Sequence, residues 1–349
     1  MYSKKILINN LKKDMVTSED LVINGRKLLN KDYTITESIL NVLKDNYPSY
    51  YISIYSNDGT AFIEQENSKL EALEKNLVST QTLIKNLFAR LKEKNAVSIA
   101  DLRPITTNIL EYAEKYCTNI IKLLNRSYKP DEYLYGHSLN VSILSVMIGI
   151  WLNIPKNSLS NLATAGILHD IGKLNIPDKI INKKGHLTSD EFKICKNHAL
   201  MSYETAKRIS LLSSSVLQAI LFHHERFDGS GYPTHLKEET IPLFARIIAV
   251  ADVFDAITSN RCYTIKENPL YALKLVYEES FSKLDPRICT TFIHNIAKFY
   301  EGQKVLLNND KTASILKLNM NNYSKPIICL DNDVIDLSNQ NELSIVDFS

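Results

Sequence analysis

The order of apolar and polar positions divides this chain into four stretches. Residues 3 to 57 alternate and turn like a small mixed unit. Lys5 to Ile8, Leu21 to Ile23 and Tyr50 to Tyr55 read as strands, Asn24-Gly25 as a hairpin turn, and Thr36 as the cap of a helix through Leu43. From Glu64 to Lys94 the period changes. Leu70, Leu73, Leu77, Thr80, Ile84, Leu87 and Leu91 step by three and four residues, which predicts a long helix with one polar position in its stripe. Two readings of that stripe stay open: a homodimer through residues 70 to 91, or a helix laid on its own domain. Helical periodicity resumes over residues 105 to 125 and stops before Lys129-Pro130-Asp131, where the proline marks a boundary.

The third stretch is a series of apolar helices. The apolar run from Val141 to Leu152 is well short of the ~20 residues a membrane span needs, so it predicts a buried helix rather than a span. Further helices are expected in NLATAGILHDIGK, KNHALMSYETAKRI and ARIIAVADVFDAIT. In the fourth stretch Val305 to Leu307, Ile315 to Leu318, Pro326 to Leu330, Val334 to Leu337 and Leu343 to Val346 alternate as short strands, with a turn at Asn308-Asn309-Asp310. The fold class that follows is mainly α, with a β-rich unit at each end. The expected domains are residues 1–57 (a small β-rich accessory or regulatory unit), 58–125 (a helical linker), 126–302 (the site-bearing domain) and 303–349 (a small β-rich subdomain).

Composition narrows the partners. Charged residues make up 23% of the chain and the net charge is +2, so no basic field holds polymeric nucleic acid. Cys117, Cys195, Cys262, Cys289 and Cys329 are odd in number, widely spaced and form no Cys-x-x-Cys pair. That argues against disulfides and a thiolate zinc site, and predicts a reducing cytoplasm. The N-terminal MYSKKILINNLKK has no apolar core of signal-peptide length.

Candidate chemistry lies on the apolar helices. His137 opens one, His169-Asp170 ends the next ahead of Gly172 and Lys173, His198 follows, and then come His223-His224 and Asp252. Charge on an apolar helix is costly unless paired or metal-bound. One such histidine is an ordinary core residue, but five with two aspartates form a ligand set larger than one ion needs. Two ions bridged by Asp170 are the economical solution. Adjacent side chains on a helix point about 100° apart, so His223 and His224 reach two neighbouring points. Gly172 is expected to permit a left-handed turn that ends the helix and leaves Lys173 near the same cavity. His186, His235 and His294 lie in loop-like or polar surroundings and are expected to have no site role.

The runs HDIGK, HHERFDGSGYP and ADVFDAIT occur in that order within residues 126 to 302. They resemble the HD-GYP family of cyclic di-GMP phosphodiesterases, within the HD superfamily of metal-dependent phosphohydrolases. The resemblance implies an HD-type helical bundle core and metal ligation by His137, His169, Asp170, His198, His223, His224 and Asp252. It implies hydrolysis of cyclic di-GMP to pGpG and onward to GMP, lowering the level of a second messenger, with Asp170 and Lys173 as catalytic groups. Lys173 neutralises charge on the phosphoryl oxygens, and Arg261 contacts a substrate phosphate. Thr264 stands where a second basic residue is frequent, with Lys266 close enough to substitute. Asp255 and Glu225 are expected to support ligand histidines from behind. Tyr133 stands where some members place a glutamate for a third ion, so two ions are expected per chain, Fe or Mn ahead of Zn, Ni or Co. The loop carrying Gly229, Gly231, Tyr232 and Pro233 would line substrate access and contact a diguanylate cyclase (GGDEF) partner. Two other readings are a non-hydrolysing cyclic-dinucleotide sensor or adaptor, and a hydrolase of another cyclic dinucleotide.

Overall fold

The first elements follow the expected alternation. β1 (Tyr2–Leu7), β2 (Leu21–Ile23), β3 (Arg26–Leu29), α1 (Glu37–Asn46) and β4 (Tyr51–Ser56) make up the N-terminal part. The structure is a computed structural model that describes residues 2 to 348 except 24–25, 49, 57–58, 125–131, 184, 260–266, 320–321, 332 and 341. β1 and β4 pair antiparallel with Ile6 opposite Ile52, and β2 pairs antiparallel with β3. The Asn24-Gly25 turn between β2 and β3 lies outside the described residues. Thr36 caps α1, its hydroxyl accepting the Ile39 N–H at 3.5 Å. Ile8, Leu11, Ile35, Leu43, Ile52 and Ile54 form the core of this unit. By its contacts the chain groups into Met1–Leu73 and Glu74–Ser349.

The boundary between the two units falls inside α2 (Gly59–Lys92). Leu73, Leu77, Thr80, Ile84, Leu87 and Leu91 are all buried within the single chain, and Leu70 is half-buried. The polar exception in the stripe has a physical reason. The Thr80 hydroxyl meets the Tyr112 hydroxyl at 2.8 Å and accepts from Asn108 Nδ2 at 3.0 Å, both on α3 (Ile99–Lys115). The stripe is thus laid on its own chain, the second of the two readings, and it lends no support to a homodimer through residues 70 to 91. The periodicity over 105 to 125 is split between α3 and α4 (Cys117–Leu124).

α5 (Tyr133–Trp151) is buried from Gly136 through Gly149, as an all-round apolar helix must be. Its length and apolar composition would suit a membrane, yet most of it is buried inside the protein. Packed on it are α3, α6 (Lys156–Leu168), α11 (Leu243–Thr258) and α13 (Pro286–Tyr300). A 3₁₀ turn (Ile171–Asn175) follows α6, and α7 (Asp178–Ile181), α8 (Ser189–Lys196), α9 (His198–Ala206) and α10 (Ser214–Phe222) complete the wall, with α10 against α6, α9 and α11. α12 (Pro269–Glu279) lies between α11 and α13 in sequence and packs on both. The tail forms a five-stranded antiparallel sheet in the order β8-β7-β6-β5-β9: β5 (Lys304–Leu307), β6 (Thr312–Lys317), β7 (Ile327–Leu330), β8 (Asp333–Asp336) and β9 (Ile345–Phe348). The expected turn at 308 to 310 has Asp310 at φ 63°, a left-handed position that aspartate tolerates.

α11 is fixed at its start by one buried ion pair. Arg246 Nη1 lies 2.5 Å from Asp285 Oδ2, while Asp285 Oδ1 accepts the Arg287 N–H at 2.9 Å and so caps α13. Removing Asp285 leaves a buried guanidinium and an uncapped helix. Asp285→Ala is expected to lower unfolding stability by about 3–5 kcal/mol, and Asp285→Asn by less because the cap survives. Urea unfolding midpoints of the three proteins check this, and equal midpoints would refute it.

Candidate metal centre and active site

Each ligand candidate sits at a helix end or on the inner face of a buried helix. His137 is near the start of α5, His169 terminates α6, His198 opens α9, and His223 terminates α10. For three of them the position fixes the chemistry. The Nδ1 atoms of His169, His198 and His223 lie 2.8, 2.6 and 2.7 Å from the carbonyl oxygens of Gly166, Cys195 and Ile220, each three residues back. A carbonyl can only accept, so Nδ1 carries the proton and Nε2 offers its lone pair to the interior. His137 reaches the same state through a carboxylate, with Nδ1 2.7 Å from Asp255 Oδ2. Asp255 is itself held by Asn140 Nδ2 at 2.7 Å and Ser259 Oγ at 3.0 Å.

The Nε2 atoms converge on Asp170. His137 Nε2 is 3.2 Å from Asp170 Oδ2 and 3.2 Å from Asp252 Oδ1, His169 Nε2 is 3.4 Å from Asp170 Oδ2, and His198 Nε2 is 3.1 Å from Asp170 Oδ1. Ligand atoms fall into two groups, Asp170 with His198, His223 and His224, and His137 with His169 and Asp252, each within 4.8 Å. The Lys173 ammonium hydrogen-bonds Asp170. The donor set fits cations. His198 and His223 point unprotonated Nε2 atoms at one another 3.4 Å apart, and the buried His137 Nε2, His169 Nε2 and Asp170 Oδ1 make no hydrogen bond. Buried lone pairs facing one another are costly unless something positive lies between them.

The titration directions agree with that reading for His223, His224, Asp170 and Asp252, whereas His137 holds a proton that a metal would have to displace. Burial, the largest influence, pushes His223 and His224 down, and neighbouring imidazoles push them further, so both stay neutral as ligands must. For Asp170 burial raises the carboxyl, but the Lys173 ammonium and the neighbouring imidazoles of His169 and His137 outweigh it and hold it well below the usual range. Asp252 behaves alike, burial being outweighed by His137 and His224. At His137 burial opposes charging, while Tyr133 and the carboxylates of Asp170, Asp252 and Asp255 prevail and raise it well above the usual value. Where carboxylates converge on one imidazole, positive charge is favoured.

Comparison with known proteins bears on the same stretch of the chain. A family model described as HD domain matches residues 115–288. A cyclic di-GMP phosphodiesterase of Pseudomonas aeruginosa is 36% identical over 199 residues, covering 57% of this chain and 48% of that protein. A 3′3′-cGAMP-specific phosphodiesterase of Vibrio cholerae is 32% identical over 171 residues, 49% of this chain and 39% of that protein. The solved structure of an HDG"Y"P protein from Bdellovibrio bacteriovorus superposes with a TM-score of 0.53 at 15% identity, covering 84% of this chain and 99% of that one. The chain carries an HD domain over residues 115–288. It spans about half the length of the first curated relatives it matches.

Within this HD domain the expected residues fall in three places. His137, His169, Asp170, His198, His223, His224 and Asp252 lie together, with Lys173 beside Asp170 and Asp255 behind His137. The loop lies over the second group. The Tyr232 ring is 4.8 Å from the His224 ring, and Gly229 has φ 82°. A Cβ on Gly231 would meet the Arg226 nitrogen at 2.3 Å. Glu225 does not support a histidine as expected. Its carboxylate accepts from the Thr234 N–H (2.7 Å), the Thr234 hydroxyl (2.9 Å) and the Leu236 N–H (3.1 Å), and so ties down the loop exit. Arg261, Thr264 and Lys266 lie outside the described residues. His186, His235 and His294 are exposed and belong to neither ligand group.

Some contributors were not expected from the sequence. Asn140 was detectable as a polar residue in an apolar helix, one turn from His137. Phe192, Cys195 and Lys196 on α8 line a cavity of about 720 Å³ with Tyr133, His198 and Tyr232, and α8 carries no motif. Gly172 is not in the left-handed region but inside the 3₁₀ turn. Its need for glycine is space. A Cβ there would lie 2.2 Å from His198 O and 2.5 Å from Ser202 N, both backbone. Ser202 Oγ accepts the Gly172 N–H at 2.8 Å and seals the contact. Gly172→Ala is therefore expected to drive α9 and His198 away from Asp170, costing about 1–3 kcal/mol as overpacking does and reducing bound divalent metal. Elemental analysis and thermal unfolding check this, and unchanged metal content with unchanged stability would refute it.

Proposed function

We propose that this chain is a phosphodiesterase that hydrolyses cyclic di-GMP to pGpG and onward to GMP at a centre of two divalent ions, Fe or Mn being preferred over Zn, Ni or Co. The observation that carries the reading is the convergence of two ligand groups on Asp170, beside a cavity of about 720 Å³ that His198, His224 and Lys173 line. His137, His169 and Asp252 would hold one ion and His198, His223 and His224 the other, with Asp170 between them. Divalent ions, when bound, supply Lewis acidity that activates water near neutral pH and withdraws charge from a phosphoryl group.

The chain's own side chains provide the rest. The carbonyl partners on Nδ1 hold His169, His198 and His223 in one tautomer, with Nε2 as the free ligand atom, and Asp255 orients His137 in the same way. Lys173, held against Asp170, stabilises the charge that grows on the phosphoryl oxygens in the transition state. Tyr232 walls the His224 side of the cavity against water. Arg261 is proposed as a substrate-phosphate contact, where a planar fork suits a phosphodiester. The loop at Gly229, Gly231, Tyr232 and Pro233 is proposed as the surface that a diguanylate cyclase would meet.

A second reading keeps the chemistry and changes the substrate. The resemblance to a 3′3′-cGAMP-specific phosphodiesterase favours testing that nucleotide beside cyclic di-GMP. The adaptor reading is weaker, because a non-hydrolysing binder gains nothing from locking four ligand histidines into a metal-ready tautomer.

Anaerobically purified protein supplied with Fe(II) or Mn(II) is expected to convert cyclic di-GMP to pGpG and GMP, read by chromatography, at about two ions per chain. His169→Ala and Asp170→Ala are expected to remove turnover while the far-ultraviolet circular dichroism stays helical. Full activity in either variant would overturn the mechanism, and turnover of 3′3′-cGAMP alone would change the substrate.

A further inference from the structure

The cavity over the ligand groups carries an uneven charge. Lys173 and Lys183 line it, but both are answered by carboxylates: Lys173 by Asp170, and Lys183 by Glu191 Oε2 at 2.5 Å. Asp178 adds one negative charge, and the exposed Lys92 stands at the rim. Lys196, half-buried at the end of α8, forms no ion pair among the described residues. Its ammonium is held by aromatic faces instead. Nζ lies 4.7 Å from the centroid of Phe192, one turn earlier on α8, and 5.1 Å from that of Tyr232 on the loop.

Ring faces attract a cation without neutralising it or occupying its hydrogen-bond donors in ion pairs. An ammonium fixed in this way keeps both its charge and its N–H groups for a ligand. Its position is one ring away from the second ligand group, since the Tyr232 centroid is 4.8 Å from that of His224 and 6.5 Å from that of His198. Phe192, 51% exposed and in the cavity wall, is large and apolar where solvent would favour a polar side chain. Holding Lys196 gives it a task.

We infer that Lys196 binds the second phosphodiester of a substrate that carries two, while the first lies at the ligand groups around Asp170. The inference rests on the phosphodiesterase reading and deepens it: the substrate is a dianion that meets one positive region at each phosphate. A cyclic dinucleotide has that charge pattern, and an ordinary mono-phosphodiester does not. Lys196 is thus a substrate-positioning cation rather than a catalytic one. Its loss weakens binding of the two-phosphate substrate far more than it slows the bond-breaking step.

The test uses the full chain loaded with Mn(II) and two substrates, cyclic di-GMP and bis(4-nitrophenyl) phosphate. Lys196→Gln is expected to raise KM for cyclic di-GMP about tenfold, the scale of one charge-assisted hydrogen bond, with a much smaller change in kcat. The loss of kcat/KM on bis(4-nitrophenyl) phosphate should be several-fold smaller, and Lys196→Arg should recover most of the cyclic di-GMP affinity. Equal losses on both substrates, or no loss on cyclic di-GMP, would overturn the role of Lys196 and leave the phosphodiesterase reading standing. A wild-type chain that cleaves bis(4-nitrophenyl) phosphate but neither cleaves nor binds cyclic di-GMP or 3′3′-cGAMP would overturn both this role and the cyclic-dinucleotide reading.

Discussion

The site depends on a backbone constraint before it depends on any metal. A histidine at the end of a helix can turn its Nδ1 back to the carbonyl three residues earlier, which satisfies a group the helix would otherwise leave open. His169 and His223 do this at the ends of α6 and α10, and His198 does it across the junction of α8 and α9. One local hydrogen bond therefore selects the tautomer, the ring plane and the direction of the free lone pair. Three helix termini brought near Asp170 are enough to aim three imidazole lone pairs at one carboxylate. The fold's work is to bring those termini together, and the packing of α10 on both α6 and α9 does so.

Much of this was legible in the sequence, for reasons that differ between elements. The apolar helices announced themselves because a histidine or aspartate in such surroundings is physically conspicuous, and the strands of the tail followed from alternation that survives at the ends of the fold. The heptad stripe of α2 was equally visible, but periodicity describes a face and not what covers it. Thr80 was the clue to the outcome. A polar residue in the stripe made sense only once Tyr112 and Asn108 of α3 stood opposite.

Other features were invisible for definite physical reasons. Gly172 looked like a helix terminator because glycine commonly supplies a left-handed residue, whereas here it supplies the absence of a Cβ beside the backbone of α9. That difference depends on a neighbour thirty residues on in sequence, which no local pattern encodes. Glu225 looked like a partner for its neighbouring histidine, yet its two oxygens fold back onto the loop at Thr234 and Leu236. Carboxylates readily accept backbone N–H groups, and sequence proximity to a ligand carries no directional information.

The bond between His137 and Asp255 has a bearing on how the molecule comes to exist. The two residues are 118 positions apart, so the tautomer of His137 is set by a helix made long after it. Closing so large a loop is slow compared with forming the local Nδ1 bonds of His169, His198 and His223. A nascent chain that has emerged only as far as His224 already holds every imidazole of the cluster. It still lacks Asp252, and nothing yet orients His137. Ions captured at that stage would meet an incomplete sphere, and the centre reaches its final composition only when α11 docks.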